Sequence, residues 1–219
     1  YRSEPRTVTI AAVFRPHGQA IVADCRLTGS RSLPNQAEPQ VTTHFTARVR
    51  LTKQPPETVT APALGELAGS LVEAAGIYQV FFHGPAYRVL ERAWLDEQRT
   101  VGQFSSTLPN HHDPPGLPLT MAPRLVELCF QTAALQEAAG QGRIGLPLHV
   151  DQVCLYRAPD LAEGPLYAVV TPDPRQDSFN AAVMDTAGNC YLQLRGYQMV
   201  VHPDAVDVEP LRGLQAVLA

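Results

Sequence analysis

Over roughly the first fifty positions apolar and polar residues alternate with a period of two, the spacing of strands whose two faces see different surroundings. Val8, Ile10, Ala12 and Phe14 fall on one side. Pro16-His17-Gly18 breaks the pattern as a turn does, and Ile21, Ala23, Cys25 and Leu27 resume it, so residues 7–28 predict a hairpin. The stretch 29–40, punctuated by Gly29, Pro34, Asn35 and Pro39, predicts a loop. A third strand follows over 42–52, with His44, Thr46, Arg48 and Arg50 on one face and Phe45, Ala47, Val49 and Leu51 on the other.

Gln54-Pro55-Pro56-Glu57 opens a linker over 54–61, and the pattern changes beyond it. Residues 62–75 are rich in Ala, Leu and Glu and predict a helix, with Gly76 as its terminator. Strands are predicted at 87–95 and 99–107, then a turn-rich loop over 109–118. Thr120 is a candidate N-cap and Pro123 suits a first helical turn, so a long helix is expected to run to Ala139 and stop at Gly140. Strands at 148–157, 166–172 and 178–186, a turn at 185–189 and a last strand at 190–201 follow, with 204–219 as a tail. Antiparallel strands with one long central helix make an α+β fold.

Composition narrows the function. A chain of 219 residues that is 45% hydrophobic and 17% charged can bury a sizeable core without covalent staples. Twenty prolines favour many short elements over long helices. A net charge of −4 lacks the basic footprint that phosphate neutralisation requires, so nucleic acid is not an expected partner. No apolar run approaches the roughly 20 residues that span a bilayer, and the start at Tyr1 has no signal-peptide pattern. A cytoplasmic location without membrane partners is expected, and a first residue other than Met makes the chain read as a piece of something longer. Cys25, Cys129, Cys154 and Cys190 lie far apart and read as reduced thiols. His111-His112-Asp113 has no third partner in sequence, so no metal is expected. Trp94 and the Phe81-Phe82 pair read as core or pocket wall.

The long helix carries the candidate chemistry. From Met121 to Ala139, Leu125, Val126, Leu128, Cys129, Phe130 and Leu135 point in nearly every direction around the axis, and a helix apolar all round is buried. Glu127 therefore sits in an apolar setting, with Gln131 one turn on along the same face. A carboxyl there must be neutral, paired or hydrogen-bonded. Burial would push its pKa up and the nearby helix N-terminus would pull it down, and a carboxyl near neutrality is what a general acid needs. Periodicity equally allows an ion pair with Arg124 on a partly solvated face.

Four segments, in order, then resemble one family. Ala122-Pro123-Arg124-Leu125-Val126-Glu127-Leu128-Cys129-Phe130-Gln131 resembles the His-Pro-x-Leu-Leu-Asp-x-x-x-Gln segment of polyketide synthase dehydratase domains. Phe82-His83-Gly84-Pro85-Ala86-Tyr87 resembles their Tyr/His-Gly-Pro-x-Phe motif. Leu146-Pro147-Leu148-His149-Val150 resembles their Leu-Pro start of a strand, and Phe179 onward with Asp185-Thr186-Ala187-Gly188-Asn189 resembles their closing strand and turn. Phe-His-Gly-Pro and Glu-Leu-Cys-Phe-Gln lean towards polyunsaturated-fatty-acid synthases.

The resemblance implies a double hot-dog, an antiparallel sheet wrapped around a central helix in each lobe. Residues 62–203 would be a complete C-terminal lobe and residues 1–53 the closing strands of a partial N-terminal lobe. It implies elimination of water from β-hydroxyacyl thioesters, with the chain carried on the phosphopantetheine of acyl carrier protein and no cofactor of the domain's own. Acyl carrier protein and the other domains of a parent synthase would be partners, and a homodimer is compatible. By this resemblance Glu127 is the catalytic acid, Gln131 and His83 support it, and Phe82, Tyr87 and Pro123 line the substrate tunnel. His83 also has a plainer reading, hydrogen-bonding a strand end and packing beside Tyr87.

Three departures bear on activity. The family's His-x-x-x-Gly-x-x-x-x-Pro motif, which supplies the base, is not found in this sequence; Glu127 replaces Asp; Ala122 replaces the leading His. A non-catalytic, product-shaping lobe is therefore the alternative to a dehydratase, with a hot-dog thioesterase using Glu127 behind both.

Overall fold

The computed structural model describes residues 7–34, 36–54, 56–57, 59–60, 64, 71–96, 99–117, 119–201, 212 and 215–216. The chain divides into two compact units, residues 1–55 and 56–219.

In the first unit β1 (Val8–His17), β2 (Ala20–Arg31) and β3 (Gln40–Leu51) form an antiparallel sheet in that order. The predicted hairpin is β1–β2, with Phe14 opposite Ala23 and Ile10 opposite Leu27. Leu27 in turn faces Phe45, and Ala23 faces Val49, so one face of the sheet is apolar. The alternation sends charge to the other face, where Asp24 pairs with Arg15 and Arg48 at 3.0 Å each.

The second unit begins with β4 (Leu71–Glu73), α1 (Ala74–Val80) and a single 3-10 turn at Pro85–Tyr87. Its other strands are β5 (Leu90–Asp96), β6 (Arg99–Phe104), β7 (Gly145–His149), β8 (Gln152–Leu155), β9 (Tyr167–Asp173), β10 (Ser178–Met184) and β11 (Cys190–Val201), and α2 (Pro123–Gln141) is its long helix. The strands pair in the order β4-β5-β6-β9-β10-β11-β7, with β8 also on β11, all antiparallel. α2 packs against β5, β6, β7, β9, β10 and β11. This is the expected α+β hot-dog, a sheet wrapped around one helix, and it is built for the reason the pattern suggested. Leu125, Leu128, Leu135 and Ala138 are all within 1% of full burial, so α2 has no solvent face through its middle. Among the described residues, no helix is long and apolar enough to cross a membrane.

Element boundaries differ from expectation in four places. The predicted helix at 62–75 falls largely outside the described residues; within them, Leu71–Glu73 is a strand paired with Arg92–Trp94, and Gly76 lies inside α1 instead of ending a helix. Burial of Val72 against the sheet outweighs the helical bias of the Ala-rich stretch. Thr120 is not the N-cap of α2. Ala122 holds that place, because Pro123 fixes the first helical residue and leaves Thr120 two positions too early. The helix also continues through Gly140 and stops at Gly142, which takes the left-handed conformation (φ 64°) and donates its N–H to the Ala138 carbonyl at 3.0 Å. The single strand expected at 148–157 is two, β7 and β8, each pairing with its own part of β11. The expected tail at 204–219 falls almost entirely outside the described residues. Val59 and Thr60, from the expected linker, instead bridge to Cys190 and Asn189 beside the β10–β11 turn.

That turn closes as predicted. The Asp185 carboxylate accepts the backbone N–H groups of Ala187 (3.0 Å) and Asn189 (2.9 Å) and the Asn189 side-chain amide (2.8 Å). Burial alone would push the Asp185 pKa up; these donors outweigh it and hold the carboxyl below its usual range.

The helix lies against the sheet without room for a side chain at Gly102 in β6. A Cβ there would stand 2.2 Å from the Thr132 hydroxyl and 2.6 Å from a Leu90 methyl. Gly102→Ala should therefore destabilise the unit by about 1–3 kcal/mol through overpacking, read as a lower midpoint in urea denaturation with an unchanged slope.

Candidate active site

Three elements bring the site together: the second turn of α2, the end of α1 and the turn after it. Glu127 is the fifth residue of α2, and Gln131 follows one turn later on the same face. The Gln131 amide donates to Glu127 Oε1 at 2.9 Å and to the Tyr87 carbonyl at 2.8 Å. Its own oxygen accepts the Tyr78 hydroxyl at 2.8 Å. Tyr78, from α1, in turn accepts the backbone N–H of Leu90 at 2.9 Å, the first residue of β5. Every polar atom of the Gln131 side chain is thus used, and the amide cannot turn over without losing bonds. Burial pushes the Tyr78 phenol well above its usual range, so it remains a donor.

His83 completes the arrangement from the other side. Its Nε2 lies 2.9 Å from Glu127 Oε1, and both side chains are about one-fifth exposed, at 22% and 21%. The ring is stacked on Phe82 (centroids 5.0 Å apart, 11° between planes) and meets the edge of Phe81 at 5.7 Å. His83 Nδ1 is enclosed without a partner. A hydrogen there would be a buried donor with no acceptor, so the ring carries its hydrogen on Nε2 and donates it to Glu127. Oε1 therefore takes two donors, from His83 and Gln131, and any proton the carboxyl carries resides on Oε2.

The pairing with Arg124 that periodicity allowed does not form. Arg124 donates instead to the carbonyls of Ala86, at 3.0 Å, and Pro109. Those bonds tie the start of α2 to the Pro85–Tyr87 turn, so Arg124 helps to hold His83 opposite Glu127. The plainer reading of His83 is likewise not what forms: its ring faces the carboxylate, while the Tyr87 ring meets His111 edge-on at 5.7 Å.

The group opens on a cavity of about 220 Å³. Glu127, Phe130, Gln131 and Ala134, a stripe at helical spacing, make one wall; Phe81, Phe82 and His83 make another; Ile144 to Pro147 and Tyr197 close the remainder. Of the expected tunnel residues, Phe82 lies on this wall, whereas Tyr87 and Pro123 do not. Tyr87 contributes only its carbonyl, to Gln131, and Pro123 starts the helix. A larger hollow of about 420 Å³ lies on the three-stranded sheet, but no carboxylate among the described residues lines it, so the chemistry singles out the smaller one.

Tyr78, Phe130 and Tyr197 were not marked by the sequence. Tyr78 and Tyr197 sit in apolar segments where an aromatic residue reads as core, and only the folded register brings their hydroxyls near the helix. Trp94 is core, edge-on to Tyr167 at 6.0 Å. The four cysteines are free thiols, Cys129 and Cys190 buried.

Chains of similar sequence and shape point the same way. A family model described as "Polyketide synthase dehydratase N-terminal domain" matches residues 47–207. Among solved structures, the dehydratase domain from the CurF module of curacin polyketide synthase aligns with a TM-score of 0.67 at 16% identity, covering 91% of this chain and 70% of that one. A trans-AT polyketide synthase dehydratase domain from Brevibacillus brevis aligns at 0.65 with 17% identity, covering 89% and 70%. A bifunctional dehydratase-cyclase domain in ambruticin biosynthesis aligns at 0.56 with 17% identity, covering 89% and 69%. At these identities the likeness is one of fold. A search of curated proteins found no match.

If the Tyr78–Gln131 bond holds the carboxylate in place, Tyr78→Phe leaves the buried Leu90 N–H and the Gln131 oxygen without partners. The expected cost is about 1–3 kcal/mol for the first loss alone, visible as a lower thermal midpoint. Gln131→Leu should perturb the environment of His83, followed by its ring resonances in NMR.

Proposed function

Since the chain belongs to the polyketide synthase dehydratase family, we propose that it takes part in eliminating water from a β-hydroxyacyl thioester, with Glu127 as the acid that protonates the departing hydroxyl. The observation that carries this reading is the carboxyl itself. Oε1 is held by two N–H donors while the side chain borders an apolar cavity, so a proton on Oε2 is presented where an acyl chain would lie.

In the proposed step the Cα–H bond breaks towards a base, and its electron pair becomes the α,β double bond. The Cβ–O bond breaks at the same time, and the oxygen takes the Glu127 proton and leaves as water. Gln131 and His83 orient the carboxyl and Tyr78 orients Gln131, so they act as positioning residues. The acyl group stays in thioester linkage, which requires no cofactor of this chain. An acyl carrier protein would deliver it on a phosphopantetheine arm, within a multidomain cytoplasmic synthase of polyketide or polyunsaturated-fatty-acid type. The second reading, a lobe that binds and shapes the chain without eliminating water, is favoured by one observation: the sequence has no His-x-x-x-Gly-x-x-x-x-Pro segment to supply the base.

Glu127→Gln separates the two. In the full-length protein carrying these residues, it should lower dehydration of a β-hydroxyacyl thioester by about a hundredfold or more with little change in thermal midpoint. Equal turnover in both proteins would remove Glu127 from the chemistry. Release of free thiol in place of an enoyl thioester would move the assignment to hydrolysis.

A further inference from the structure

One buried polar group in the site has no use in the elimination. Tyr191 and Tyr197 are the two tyrosines buried to 98% among the described residues. Tyr191 donates to Asp185 and the Leu161 carbonyl, each at 3.4 Å. No described protein group hydrogen-bonds the Tyr197 hydroxyl. Tyr197 lines the cavity that Glu127 borders. A phenol withdrawn from water without an acceptor is costly, and buried tyrosines ordinarily have a partner.

Its position along the cavity is set by its neighbours. Tyr197, on β11, stacks on Phe130 with ring centroids 4.4 Å apart and 18° between planes. Phe130 lies three residues past Glu127, about 4.5 Å further along the helix axis. Burial pushes the phenol well above its usual range, and Glu127 and then Glu137 push in the same direction. The hydroxyl therefore stays protonated and can act as a donor. It is a fixed donor displaced from the acid towards the C-terminal half of the helix.

We propose that Tyr197 is a specificity-determining residue, whose hydroxyl donates a hydrogen bond to an oxygen on the acyl chain beyond the β-carbon. On this proposal, which rests on the dehydratase reading above, the site takes acyl thioesters that carry a further oxygen in preference to plain hydrocarbon ones. Among the described lining residues other than His83, Glu127 and Gln131, no other side chain carries a hydrogen-bond donor.

The test uses two pantetheine thioesters of β-hydroxy acids equal in length, differing by an ether oxygen or a methylene two carbons past the β-carbon. Two unreactive thioether analogues with the same difference are used for calorimetry. In the full-length protein the oxygen-bearing compound should be preferred by about tenfold in both kcat/KM and Kd. Tyr197→Phe should erase the preference by weakening only that compound, leaving the methylene compound within about twofold, since the ring and its stacking on Phe130 are retained. Equal binding of both analogues by the unmodified protein, no binding of either, or an equal loss for both in Tyr197→Phe overturns the proposal. Absence of elimination would sink the dehydratase reading instead, while the calorimetric preference still decides the role of Tyr197. Glu127→Gln provides the complementary control, abolishing turnover and preserving the preference in Kd.

Discussion

The site depends on holding the Glu127 carboxyl on a helix that is mostly apolar and largely enclosed by the sheet. Such a group cannot be left bare, because the desolvation penalty would exceed what local packing returns. Here it is met by two N–H donors on a single oxygen, and those donors come from different elements. Gln131 belongs to the helix itself and His83 to the turn that follows α1. The constraint then propagates outward. Gln131 is held by Tyr78 of α1 and the Tyr87 carbonyl, and Tyr78 receives the first N–H of β5. One carboxyl thus ties together helix, turn and sheet edge, and each member of the chain is satisfied by the next. Such a network rigidifies its members when complete and is costly when any one is lost.

Both donors converge on Oε1, and Glu127 borders the cavity. The wall is largely aromatic and aliphatic, with Tyr197 as the one hydroxyl-bearing residue among its described members. A low-polarity slot with few, convergent polar groups is the form that binding sites for apolar chains take. The Glu127 carboxylate meets a His83 ring that is itself stacked on Phe82.

Much of this was legible along the chain, for reasons that particular residues make plain. The period-two alternation of 42–52 marks a strand, with apolar residues on one face and polar residues on the other. The largely apolar surface of 121–139 marks a helix enclosed by a sheet, and Glu127 with Gln131 at i+4 marks a polar pair on it. Those are local patterns, and local patterns survive folding when burial agrees with them. Boundaries were less legible. Gly140 and Gly142 are equally good stops in sequence, and only the backbone shows which one turns left-handed. Residues 71–73, in an Ala- and Leu-rich stretch, become a strand because an edge of the sheet is there to receive them.

The sequence by itself thus determined the architecture, the helix that carries the acid, and the two residues on that helix that belong together. It could do so because helical and strand periodicity are properties of neighbours a few positions apart. Only the tertiary structure decided that His83 faces Glu127 and that Arg124 turns away to backbone carbonyls. It alone showed that Tyr78 anchors Gln131 across 53 positions of chain and that Tyr197 stands on the cavity wall with no hydrogen-bond partner for its hydroxyl among the described residues. Those pairings join residues far apart in the chain through the curvature and register of the sheet, and no short-range pattern records where a strand will deliver a hydroxyl.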